Sequence, residues 1–193
     1  MQMFRPTTIA LAMAALLLAP FAAAQDHDDH NHPIPEVPAH PLFDQFKTLE
    51  GTWTGTVTHG ENGEAQPATV TYRLTAGGTA LMETVFAGTP MEMVSMYYLD
   101  GDNLKMTHYC LANNQPTMVA VADPESNGKV VHLRFDSITN MPDPNAMHMH
   151  EATFEFLGDD HHRSTWQGYV GGQPASDMCA VLDLRRQPVV VAD

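Results

Sequence analysis

The chain has 193 residues, 44% of them apolar, and sets nine Lys and Arg against 23 Asp and Glu for a formal charge of −14. That length and apolar content suit one domain with a sizeable core. The charge excludes a nucleic-acid partner, whose phosphates require clustered Lys and Arg, and it disfavours an anionic membrane surface.

Residues 1–24 read as a secretory signal peptide. Arg5 supplies the positive start, Thr8 to Leu18 is an apolar run too short to span a bilayer, and Ala22-Ala23-Ala24 offers a small-residue cleavage site before Gln25. The mature chain is therefore expected in a periplasm or outside the cell, with no membrane span once the leader is gone. Residues 25–41 form a polar, proline-spaced arm that buries little and is expected to be disordered. Its His27, His30 and His32 serve either a solubilising leader or a loose Cu or Zn site.

The domain proper is placed at 42–187, with a tail at 188–193. Leu42, Phe43, Phe46 and Leu49 recur at helical spacing and predict a short helix packed under the open end of a barrel. From Gly51 the period changes to two. Trp53, Gly55 and Val57 point one way and Thr52, Thr54, Thr56 and Thr58 the other, as in a half-buried strand. Further strand-length segments lie near 67–76, 79–87, 91–99, 103–110, 116–123, 129–136, 148–157, 161–170 and 178–186. Short turns such as Ala76-Gly77-Gly78, Asp100-Gly101-Asp102 and Gly171-Gly172 join them. About ten antiparallel strands with no long helix hide their edges most simply by closing, so the fold class is all-β, an up-and-down barrel with one short N-terminal helix. Ser137 to Met147, with Pro142 and Pro144, is read as a longer loop or lid at the mouth.

The apolar phase of each strand defines the interior. It holds Val70, Tyr72 and Leu74, then Leu104, Met106, His108 and Cys110. In the eighth strand it holds His148, His150, Ala152, Phe154 and Phe156. Trp166 is in phase with Ser164 and Gly168, and Met178, Ala180, Leu182, Leu184 and Arg186 share the inner phase of the last strand.

Gly51-x-Trp53 after a short helix resembles the opening motif of the calycins, the lipocalin and fatty-acid-binding group. The resemblance implies a ligand-binding barrel in which the Trp packs under a basic side chain of the last strand. Arg186 is in the inward phase for that role, with Arg185 the out-of-phase alternative. His108-Tyr109-Cys110 and Asn114-Gln115-Pro116 are similar to pieces of secreted bacterial lipocalin-like domains of unassigned function. Haem-binding barrels of the nitrobindin type share a Gly-x-Trp-x-Gly-x-Gly opening, which this chain follows at Gly51, Trp53 and Gly55 and leaves at Val57.

The inward imidazoles, His108, His148 and His150, each require a partner, because an unpaired polar group in an apolar interior costs a few kcal/mol, about 1–3 by mutational measures. That partner is a carbonyl, a Tyr hydroxyl or a trapped water, or else a ligand, a metal or haem iron. Methionines are frequent beside them, as in Met147-His148-Met149-His150, and thioether with imidazole is a copper ligand set. Alternation, however, sends Met149 away from both histidines, and Met is also an adaptable cavity filler. Cys110 is expected to point in and Cys179 out, half the barrel apart, too far for a disulfide. No Gly-x-Ser-x-Gly elbow, Walker loop or His-Glu-x-x-His helix is present, and the carboxylates are mostly placed outward or in turns, so no catalytic site is assigned.

The expected function is the binding of a small, mostly apolar molecule in the interior. Its ligand-binding residues would be Met106, Tyr72 and Phe154, with Val70, as wall and His108, Cys110, His148, His150 and Trp166 around the polar end. Gly51, Trp53 and Arg186 would be structural. The alternatives are haem or Cu/Zn binding through the interior histidines and the arm, and an interaction domain whose interior is packed solid.

Overall fold

The computed structural model describes residues 36–60 and 62–188. The leader, the arm as far as residue 35 and the tail from residue 189 lie outside them, and so do His27, His30 and His32.

A short helix, α1 (Pro41–Lys47), precedes ten strands: β1 (Gly51–His59), β2 (Gln66–Thr75), β3 (Ala80–Val85), β4 (Met93–Asp100), β5 (Asn103–Tyr109), β6 (Gln115–Ala122), β7 (Val130–Thr139), β8 (His148–Gly158), β9 (His161–Val170) and β10 (Gln173–Arg186). Each pairs antiparallel with its neighbours in sequence, and β10 closes the barrel onto β1. The fold expected from period-two alternation is the fold observed. No helix among the described residues is long and apolar enough to cross a membrane.

The helix closes one end. His40 caps it, its Nδ1 accepting the Phe43 N–H at 3.2 Å, and Pro41 occupies the first turn, where no amide proton is needed. Val37, just upstream, packs against the core, so the last residues of the 25–41 stretch belong to the barrel's packing. Phe43 and Phe46 are fully buried. Phe46 stacks within 5.0 Å of Tyr97, 5.1 Å of Phe154 and 5.6 Å of Phe156, which fills the helix half of the barrel. Burying each such ring contributes about 2–3 kcal/mol.

The opening motif has a local physical cause. Trp53 and Arg186 are opposed across β1 and β10, and the guanidinium carbon lies 4.3 Å from the indole ring centroid. Arg186 also donates to the Glu50 and Thr48 carbonyls at 2.6 and 2.5 Å and to Asp160 Oδ1 at 3.1 Å. Gly51 sits at φ +129, and a Cβ there would lie 3.2 Å from the Arg186 guanidinium. Gly55 serves the seam itself, since a Cβ at that position would fall 2.0 Å from the Asp183 carbonyl oxygen on β10.

One expectation about detail changes. The long loop is residues 140–147, because β7 continues through a bulge at Asp136 to Thr139. Its Asn145 carbonyl accepts the Gly171 N–H at 2.9 Å, tying it to the β9–β10 turn. Among the described carboxylates Glu83 is the exception to the outward majority, 1% exposed inside the barrel.

Candidate functional site

Because α1 fills one half, the open space lies at the other end, where β1, β3, β5 and β9 finish and β4, β8 and β10 begin. A cavity of about 210 Å³ is walled there chiefly by Val57, Val85, Phe86, Met93, Met149, Trp166, Met178 and Leu182. His59 and Asp177 stand exposed at its rim, and His108, Ser95 and the Cys179 thiol are the polar groups within. Phe86 adopts φ +55, a conformation that bulky side chains rarely take, in the turn at this mouth.

Behind the cavity runs a buried polar row. Tyr72, Glu83, Ser95 and His108 are successive cross-strand partners on β2, β3, β4 and β5. Tyr72 donates its hydroxyl to Glu83 Oε1 at 2.9 Å, and Tyr97 donates to Oε2 at 2.7 Å. The Ser95 hydroxyl lies beside the same carboxyl and 3.0 Å from His108 Nδ1. Burial raises the Glu83 carboxyl above its ordinary range against the opposing pull of its three hydroxyl neighbours. Burial, with the Glu83 charge, pushes both tyrosines well above theirs. Desolvation lowers His108 to about 4, so at neutral pH its ring is uncharged. The other ring nitrogen, Nε2, has no hydrogen-bond partner among the described residues. Trp166 lies 5.3 Å from the imidazole, and its own N–H is already directed to Ser164 Oγ at 3.2 Å.

Of the residues expected to bind ligand, the structure brings His108 and Trp166 to the cavity. Met106 and Phe154 are fully buried in the core that Phe46 completes, and Tyr72 is engaged by Glu83. Cys110 lies beyond the end of β5 in a turn, its Sγ accepting the Ala112 N–H at 3.5 Å, and burial raises its thiol. Among the described residues no disulfide joins Cys110 to Cys179, and β5 and β10 lie on opposite sides of the ring.

The inward placement of His148 and His150 is corrected by a β-bulge. The register on β9 slips between Met149 and Glu151, so Met149 pairs with Gly168 and lines the cavity while His148 pairs with Tyr169 on the opposite phase. His148 donates Nδ1–H to the Ala146 carbonyl at 3.1 Å, which leaves Nε2 to accept from His150 Nδ1 at 3.0 Å. The His150 ring is held between Phe135 at 4.4 Å and Tyr169 at 3.9 Å. Desolvation and the neighbouring His148 depress its basicity.

Glu83 escaped the sequence reading although a signal was present. Leu81, Glu83 and Val85 share one phase of β3, and two of the three are aliphatic. His162 escaped it too. It is 1% exposed, packed edge-on 4.6 Å from Trp53, and neither ring nitrogen has a partner among the described residues.

Haem fits this interior poorly. Among the described residues no three His, Cys, Asp or Glu side chains are grouped to hold an ion. A cavity of about 210 Å³ is below the roughly 300–1,000 Å³ of pockets for drug-sized ligands, and a haem macrocycle needs more than that lower bound. A second, polar groove of about 430 Å³ at the helix end borders Asp159, Asp160 and Arg186, but there the guanidinium is already committed to Trp53 and the carbonyls.

No family model matches the chain, and no curated protein matches it. Among solved structures the barrel is similar to a protein of unknown function from the DUF3598 family of Nostoc punctiforme PCC 73102. The identity is 11% and the TM-score 0.51, over 74% of this chain and 49% of that one. This chain thus spans about half the length of that protein, and the likeness is one of fold alone. A redesigned β-barrel aligns over 94% of its own length and 74% of this chain at 11% identity and a TM-score of 0.33.

Proposed function

We propose that this barrel binds one small, largely apolar molecule, the size of a single or fused ring, at the end opposite α1. His108 is its polar anchor and Trp166 its aromatic wall. The carrying observation is the cavity of about 210 Å³ with apolar walls and one inner imidazole nitrogen left without a partner among the described residues. An apolar cavity of about 150 Å³ is already enough to take up benzene, so displacement of poorly held water supplies the driving force. The calycin-like opening at Gly51 and Trp53 supports the same reading, and the signal-like residues 1–24 support an activity outside the cytoplasm.

The test is thermal shift and Trp fluorescence with toluene, phenol and indole. Saturable stabilisation is expected, and Ala180→Phe, which fills the cavity from β10, abolishes it. Absence of binding at millimolar concentration, or binding indifferent to Ala180→Phe, contradicts the proposal.

One observation favours a second reading. The bulge that turns Met149 inward sets its thioether in the same cavity as Met93, Met178 and His108, a soft ligand set suited to Cu(I). Competition with a colorimetric Cu(I) chelator decides it: retention of one equivalent, lost in Met149→Leu, supports the reading, and complete loss of copper to the chelator removes it.

A further inference from the structure

We propose that the cavity selects a ligand that donates a hydrogen bond, a small aromatic N–H or O–H compound, because His108 turns the lone pair of Nε2 toward it. The inference rests on the binding reading above and names the ligand's polar group.

The polarity comes from placing every proton in the buried row. The Tyr72 and Tyr97 hydroxyls donate to the two oxygens of Glu83, so both protons go to the carboxylate. Ser95 faces that same carboxylate. Were its proton directed to His108, its oxygen lone pairs would confront the oxygens of the carboxylate and of Tyr97, which it also neighbours, in a dry interior, so Ser95 donates to that side of the row. Ser95 Oγ is then left as an acceptor, and the contact of 3.0 Å to His108 Nδ1 requires that Nδ1 carry the ring proton. In a neutral imidazole Nε2 is consequently bare.

The other polar groups of the lining are the Trp166 indole, His59, Asp177 and the Cys179 thiol. The Trp166 N–H is taken by Ser164, and His59 and Asp177 are at the solvent-exposed rim. A ligand oxygen bearing only lone pairs would meet a lone pair, whereas an N–H or O–H would complete the row. Glu83, linked to the ligand through Ser95 and His108, thereby sets the polarity of the site without touching its occupant.

Two measurements on the full mature protein test this. Long-range ¹H–¹⁵N correlation of the unliganded protein at neutral pH should show a protonated Nδ1 and a pyridine-type Nε2 for His108, and the reverse pattern overturns the inference. In titration, indole and benzofuran share a shape and differ by N–H against O. Indole should bind about tenfold more tightly, and His108→Leu should level the two while leaving both bound. Equal affinities in the wild type, or preference for benzofuran, overturn the donor assignment and leave the pocket standing. Failure of both compounds to bind overturns the pocket reading, and the selection with it, while the imidazole spectrum still decides the orientation of the row.

Discussion

The Tyr97 hydroxyl lies 2.7 Å from Glu83 Oε2, a phenol and a carboxylate paired where neither is exposed to solvent. Such a pair is stable only while complete, since removing one member strands the other. Glu83→Leu leaves two tyrosine hydroxyls and Ser95 without their acceptor and should destabilise the barrel by about 3–5 kcal/mol. Tyr97→Phe, which removes one donor and keeps the ring against Phe46, should cost about 1–3 kcal/mol. Urea unfolding of the three proteins checks the order, and a Glu83→Leu variant as stable as Tyr97→Phe would refute it.

His162 makes the opposite case. Both of its ring nitrogens are buried without a partner among the described residues, beside Trp53 and Tyr72. Phe in its place keeps a planar ring and removes the unpaired groups, so His162→Phe should raise stability at pH 7 by about 1–2 kcal/mol. A decrease in the urea midpoint would show that the imidazole has a partner after all.

The same residue predicts a pH response. His108 and His162 are lowered from 6.5 to about 4, in both chiefly by desolvation. Between those values the unfolded chain binds protons that the fold excludes, so their effect is a stability that falls as pH drops from 6.5 toward 4 and levels off below. Glu83, raised by burial, works in the other direction and favours the fold on the acid side. In His162→Phe the fall over this window should shrink by about 3 kcal/mol, since one proton excluded by the fold costs about 1.4 kcal/mol for every pH unit crossed. Unchanged slopes in the two proteins would contradict the assignment.

The seam of the barrel depends on two glycines. Gly55→Ala drives a Cβ into the Asp183 carbonyl and should cost about 2–4 kcal/mol, more than most single substitutions. Gly51→Ala combines an unfavourable φ with crowding of Arg186, and it should loosen the cation held over Trp53. Denaturation together with Trp53 emission checks both, and Gly55→Ala unfolding at the wild-type midpoint would contradict the close approach.

The barrel was legible because its strands alternate cleanly and its turns carry Gly, Asp and Asn where the chain reverses. Trp53 under Arg186 was legible for the same reason, as both fall on inner phases that ring closure brings together. The site was less so. Period-two counting fails at a bulge, and one extra residue near His150 exchanged the places of His148 and Met149. Nor does alternation say which half of an interior is filled: Tyr72, Met106 and Phe154 face inward as expected, but Phe43 and Phe46 enter that half from α1. Glu83 could have been found from its phase between Leu81 and Val85. The direction of the His108 proton could not, because it is set by three strands at once.

The most direct test of the central claim is a methyl-resolved NMR titration with indole, following every methionine. Met93, Met149 and Met178 line the proposed cavity, whereas Met106 and Met118 are buried elsewhere and Met91 is exposed. Saturable shifts confined to Met93, Met149 and Met178 are the predicted result. Shifts at Met106 and Met118 with the cavity methyls unmoved, or no saturable shift at any methyl, would contradict it.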